Sequence, residues 1–209
     1  MGQRCRGAAG FAMLEALVAI VVLAVGVLGV ASLLLNSSRF TQQASYDTTA
    51  MQLATEMAER MRANPAVSQT GAAAEAITPN RYFIDTATGQ PPALTAANSP
   101  YAIACSGTAA GCAQQLADFD VAEFWERVST GLPGGRAVIC RDMVAYNQTT
   151  GFSWGCTPSA TGRPDDAPIV IKIGWISRLA AKTVAARVDM SDMGTRPQVV
   201  IVATQGTVN

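Results

Sequence analysis

An apolar run from Phe11 to Leu35, FAMLEALVAIVVLAVGVLGVASLLL, dominates the start of the chain and carries one charge, Glu15, on its fifth residue. As a helix it exceeds the roughly 20 residues needed to span a bilayer. Arg4 and Arg6 precede it and no acidic residue does, so the positive-inside rule keeps the N-terminus cytoplasmic and exports the chain beyond Leu35. The carboxylate is the expensive element. Deep in a membrane helix an acidic residue costs roughly 2.5–3.5 kcal/mol on insertion scales, and less near the helix end. A cost of that kind usually marks a function.

Three readings of this segment compete. A secretory signal has an apolar core of about 7–15 residues ending in a small-residue cleavage site; GVAS at 29–32 offers such a site, but the core here is longer and charged. A lipoprotein signal needs its cysteine after the apolar run, whereas Cys5 stands before it. A plain uncleaved anchor explains the length and leaves Glu15 unexplained. The third reading takes in every feature. The basic leader MGQRCRGAAG ends in glycine, Phe comes next, and a glutamate lies five residues into the apolar stretch. GFAMLEALVAIVVLAVG thus resembles the class III signal of type IV prepilins. The resemblance implies cleavage by prepilin peptidase between Gly10 and Phe11, N-methylation of Phe11, and loss of the leader (1–10) with Cys5. It also implies that Glu15 pairs with the free N-terminal amine of a neighbouring subunit as helices stack. Two opposite charges in a low-dielectric bundle attract strongly, while either one alone is penalised. The plainer alternative is a glutamate near the helix start that snorkels to the interface.

Helical periodicity continues beyond Leu35. Tyr46, Ala50, Leu53, Ala54, Met57 and Met61 form one apolar stripe, with Asp47, Glu56, Glu59, Arg60 and Arg62 mostly off it. Pro65 disfavours helix at Asn64, so the helix is predicted to end near ANP at 63–65. One helix of about 75 Å then runs from Phe11 to about Arg62 at 1.5 Å per residue. Its first half (11–35) suits membrane and polymerisation, and its second half (36–64) suits packing on a domain (65–209). Gly26 and Gly29 allow close helix packing or local melting, or simply reflect how common glycine is in membrane helices. Residues 65–100 show little periodicity, and TATGQPPALTAANSP (86–100) reads as loop.

CAQQLADFDVAEFWERVSTGLPGG (112–135) begins with a second helix, on which Leu116, Phe119, Phe124, Val128 and Leu132 can share a face, with Val121 and Trp125 on its flank. LPGG stops it. Strand-like runs come next at 136–142, 151–156, 167–176 and 197–204. In the third, Ile169, Ile171, Ile173 and Trp175 alternate with Val170, Lys172, Gly174 and Ile176, as in a half-buried antiparallel sheet. The segment 177–196 fits a hairpin extension, a loop or a short helix. The expected fold class is α+β: a long N-terminal helix packed on a C-terminal antiparallel sheet, which is the pilin fold in outline. C-x6-CAQQLADFD-x4-W, then LPGG and a later IGWI, is similar to the type IV pilus modification protein family, PilV, whose members are minor pilins. The stretch RLAAKTVAARVDMSDMG before the last strand departs from that pattern and leaves the edge topology open.

The remaining chemistry is sparse. Fifteen basic residues balance fifteen acidic ones and histidine is absent. That leaves no electrostatic footprint for nucleic acid and removes His-based triads and most zinc sites. Charged residues are 14% of the chain, which suits an extracytoplasmic protein. Once the leader is lost, four cysteines remain: Cys105, Cys112, Cys140 and Cys156. An even set is what an oxidising compartment favours. Three pairings are open, and sequence proximity favours Cys105–Cys112 and Cys140–Cys156, the latter joining neighbouring strands. Spacings of six and fifteen residues and the missing histidine argue against a metal site. Asp165–Asp166 and Asp189–Asp192 lack calcium-loop spacing. Asp118, Asp120, Glu123 and Glu126 line the second helix, the last two able to face Arg127 or solvent, without forming a paired-carboxylate site.

The expected protein is a non-enzymatic minor pilin with no cofactor, no metal and no small-molecule substrate. It would sit in the inner membrane with its domain in the periplasm and then enter the pilus fibre at or near the tip, with a possible role in adhesion. Its expected partners are the inner membrane, prepilin peptidase, other minor pilins and the major pilin, but not nucleic acid. The alternatives are a type II secretion pseudopilin, which uses the same signal, and a membrane-anchored periplasmic binding protein or enzyme.

Overall fold

A computed structural model describes residues 9–69, 79–91, 93–94, 99, 108–149, 151–157, 167–177 and 196–204, with the backbone alone at 9–12, 110 and 204. The chain divides into two compact units, Met1–Gln43 and Ala44–Asn209. Helix α1 (Ala9–Ala63) belongs to both. After it comes a single turn, α2 (Pro65–Ser68), with proline at its start. A proline there forfeits only an N–H that has no intrahelical partner. Strand β1 (Ile84–Asp85), helix α3 (Ala109–Gly131) and strands β2 (Arg136–Arg141), β3 (Tyr146–Asn147), β4 (Gly151–Phe152), β5 (Ile169–Gly174) and β6 (Val199–Thr204) complete the described elements. The fold is α+β, a long N-terminal helix packed on an antiparallel sheet.

In the second unit the helix stripe is as its 3.6-residue period dictates. Ala50, Leu53, Ala54, Met57, Ala58 and Met61 are buried, and Tyr46 is partly buried against them. They share one core with Ala137 and Ile139 of β2, Ile169, Ile171 and Ile173 of β5, and Val199 and Ala203 of β6. The sheet order is β1-β2-β5-β6, every pair antiparallel, with Ile139 opposite Ile171 and Ile171 opposite Ile201. β-Branched side chains crowd the central strands because they pack well on a pleated surface.

Helix α3 begins a turn earlier than the sequence suggests. Thr108 is its N-cap, the hydroxyl accepting from Gly111 N at 3.2 Å. Its buried face is Ala117, Val121, Phe124 and Val128, continued by Leu132, and Leu116 is exposed. Val121 is therefore central, not flanking. The helix stops at Pro133 and at Gly134, whose φ of +60° excludes most other residues. At the next position, an added Cβ would lie 2.6 Å from the backbone oxygen of Val128. Gly135→Ala is expected to destabilise by about 1–3 kcal/mol through overpacking, lowering Tm by roughly 3–10 °C. An unchanged melting curve would show that the turn relaxes freely.

Two expectations about the sheet need correction. The alternation along β5 suggests one wet face, yet all six of its residues are buried. On the outer face, Lys172 and Gly174 are covered by the described residues of the segment from Asp142 to Thr157. This segment holds the small hairpin β3–β4, in which Tyr146 and Phe152 meet edge to face at 5.2 Å. Of GFSWGC, only Gly151 and Phe152 form strand, and they pair with Tyr146 and Asn147, outside the main sheet. Trp154 instead lies against Gly174, where a Cβ would come within 2.7 Å of the indole, and Arg136 stacks on the indole at 4.3 Å. The Cys140–Cys156 disulfide therefore does not join neighbouring strands of the sheet. It ties the covering segment to β2. Residues 1–8 of the expected leader, Cys105 and nearly all of 177–196 lie outside the described residues, as do Asp165–Asp166 and Asp189–Asp192.

Candidate functional site

Leucine, valine, alanine and methionine give the first stretch of α1 an uninterrupted i→i−4 ladder, with no proline to break it. Ordinarily such a helix buries a face. Here every residue from Met13 to Leu35 is exposed, and none of the most apolar window is buried. Large apolar side chains along it, such as Leu14, Ile20, Leu28 and Leu35, are more than half accessible. It is a helix long and apolar enough to cross a membrane.

Glu15 is the one charge on this surface. Helical spacing puts it on a face with Ala19, Val22, Gly26 and Gly29, and nothing lies within 4 Å of where a Cβ on either glycine would be. Among the described residues no cation lies within ion-pair distance of Glu15. Gly10 and Phe11 lie in the first turns of α1, so the peptide bond between them is helical.

The second half of α1 is held by a polar network that sequence patterning does not reveal. Arg60 donates to Asp120 at 3.0 Å and Glu123 at 2.6 Å, both on α3, and to Glu56 one turn back at 2.6 Å. Arg127 of α3 donates to the other Glu56 oxygen at 2.6 Å. Tyr82 Oη donates to Asp120 at 3.1 Å and accepts from Asn64 Nδ2 at 3.0 Å, and the same amide donates to Ala113 O at 2.8 Å. Glu123 thus faces Arg60, not Arg127. Burial pushes the Asp120 carboxyl up, and Arg60 and Tyr82 only partly offset it. Burial also raises the Tyr82 phenol. At Glu56 burial acts upward too, but the two arginines outweigh it and hold the carboxyl below its usual range. For Arg60, burial works against the charge, and the three carboxylates overcome it and hold the guanidinium firmly protonated.

A second buried charge pair sits beneath the segment covering β5. Lys172 Nζ donates to Asp142 Oδ2 at 2.5 Å, Ser153 O at 2.9 Å and Gly155 O at 2.6 Å. Asp142 Oδ1 accepts from Val144 N at 3.0 Å and Thr157 N at 3.1 Å. Both side chains are fully buried. All three ammonium protons and both carboxylate oxygens are satisfied, the condition under which a buried ion pair is tolerated.

The remaining cavities carry less chemistry. An open groove of about 590 Å³ runs beside β1 and α3. Its ionisable groups are Arg81, Asp85 and Asp118, and each carboxylate already faces an arginine, Asp118 with Arg81 at 3.6 Å and Asp85 with Arg136 at 3.3 Å. Among the described residues no three potential metal ligands cluster. Cys112 is disulfide-bonded, as are Cys140 and Cys156. The chain matches no protein-family model, no curated protein and no solved structure.

Proposed function

We propose that the protein is a minor type IV pilin of the modification-protein kind. It waits in the inner membrane, is processed by prepilin peptidase, and enters the pilus at or near the tip with other minor pilins and the major pilin. The observation that carries this reading is the wholly exposed apolar stretch of α1 with its single carboxylate. A helix packed only by lipid has no use for Glu15. A helix that leaves lipid for a bundle of like helices does, because an N-terminal amine of a neighbour can meet the carboxylate there. The amphipathic second half of α1 on an antiparallel sheet is the scaffold such a subunit needs.

The first test is mass spectrometry of the mature N-terminus from membranes of the native host. N-methyl-Phe11 is the expected result. A chain beginning at Met1 would be a plain anchored protein, one beginning near Ser32 a secreted one, and either overturns the proposal. Glu15→Ala is expected to be processed normally yet absent from sheared fibres. Its recovery in fibres at the wild-type level would remove the assembly role.

A further inference from the structure

The covering segment over β5 is held at both of its ends and in its middle, and only one of those ties is redox-active. Asp142 closes the near end. Cys156, exposed, is bonded to Cys140 of β2 at the far end. Between them, Ser153 O and Gly155 O accept from the buried Lys172 ammonium, while Val144 N and Thr157 N donate to the Asp142 carboxylate. Each partner of the ion pair is thus solvated by the backbone of the same segment. If the segment lifts about Asp142, Lys172 loses two of its three acceptors and Asp142 loses Thr157 N, while Val144 N, two residues on, stays with its carboxylate.

We propose that residues 142–149 and 151–157 form a redox-gated cover. It is closed while Cys140–Cys156 is intact and opens locally on reduction, exposing Lys172 and the outer face of β5 while the helix–sheet core stays folded. The step is thiol–disulfide exchange. A dithiol of the oxidoreductase class supplies two electrons and two protons. Its thiolate attacks the exposed Cys156 sulfur, and the Cys140 thiolate leaves and is protonated. The mixed disulfide then resolves, giving two cysteine thiols and the oxidised dithiol. Loss of the crosslink enlarges the ensemble available to the opened segment, and opening lets water reach the charged groups of the ion pair beneath it.

The chain has two lysines, Lys172 and Lys182, which makes amine acylation read site by site a clean probe. The full chain in detergent micelles is treated with a water-soluble active ester, and labelling at Lys172 is scaled to that of denatured protein. Amide exchange in 50–61 and 117–128 is tracked alongside. In the oxidised protein Lys172 is expected to be protected. In Cys140→Ala/Cys156→Ala, its labelling is expected to rise about 100-fold, the population ratio corresponding to a crosslink of this loop length, with the helical amides still protected. Lys172 still protected in the double variant would overturn the proposal, because the ion pair would then hold the cover alone. Lys172 and the helical amides opening together would equally overturn it, the disulfide being then a tie for the whole domain. Should the double variant fail to fold, dithiol reduction of the folded wild-type protein, sampled by the same two readouts, decides between the same outcomes.

Discussion

Asp142→Ala is expected to destabilise the sheet domain by about 3–5 kcal/mol, because it leaves a charged lysine buried without its counter-ion. The truncation does more than that. Asp142 Oδ1 also accepts from Val144 N and Thr157 N, and both donors would be orphaned, each at a cost of roughly 1–3 kcal/mol unless water reaches them. Lys172→Met should cost less. It too strands a buried charge, Asp142, and takes the donor from Ser153 O and Gly155 O, but the thioether chain fills the space that alanine would leave empty, and carbonyl oxygens tolerate a missing partner better than orphaned N–H groups do. The asymmetry is the sharper prediction. Urea denaturation of the full chain in detergent should rank wild type above Lys172→Met above Asp142→Ala. The reverse order, or a loss below about 1 kcal/mol for Asp142→Ala, would mean that the pair is not sealed from water.

Arg60→Ala should be the most damaging loss of a charge on the helix, by about 2–4 kcal/mol, since one guanidinium satisfies Glu56, Asp120 and Glu123. Its cost should also depend on pH. Glu56 has a folded-state pKa below its usual 4.5, so it contributes stability above the unfolded value that is lost as pH falls through the folded one. Asp120 is raised above 3.8 by burial even with Arg60 present, so its ionisation as pH rises already opposes folding. Without the arginine, both carboxyls titrate higher in the folded state. The variant should therefore lose least at low pH, where they are protonated folded or unfolded, and most above about pH 6. Denaturation of wild type and variant between pH 4 and pH 8 reads this directly. A difference that is flat across the range would mean that Arg60 contributes packing by its methylene stem and not charge.

The helix stripe from Ala50 to Met61 is legible in the sequence because burial on one side of a helix writes a 3.6-residue period into the chain, and β2, β5 and β6 are legible as runs of branched residues. The face of α3 is harder to read because Leu116 has a more core-like side chain than Ala117. A small residue at a close helix contact carries little hydropathy, so the register is set by size and not by oiliness. The sequence makes β5 half-wet because Lys172 sits in an alternating pattern, and only a distant segment, closed through Cys156, makes that position dry. The run from Gly151 to Cys156 has the aromatic content of a strand and is used as a cover. Asn64, Tyr82 and Asp120 lie 18 and 38 residues apart, and a polar network across such gaps leaves no period to detect. β1 is two residues long, too short for any pattern. Glu15 stands out because a charge in an apolar run is a contrast that needs no partner to be seen.

The exposed first stretch of α1 also makes the chain an amphiphile in the ordinary physicochemical sense. Its apolar stretch and its second unit demand opposite solvents. In plain buffer, its monomer concentration should be capped as a surfactant's is, with added protein going into aggregates held together by their tails. Any affinity, hydrodynamic radius or melting temperature measured on the whole chain then refers to an assembly whose size is set by lipid or detergent. A fragment beginning at Ala44 keeps the whole helix–sheet core and sheds the tail. It is the form in which the chemistry of the second unit can be studied as that of a single molecule.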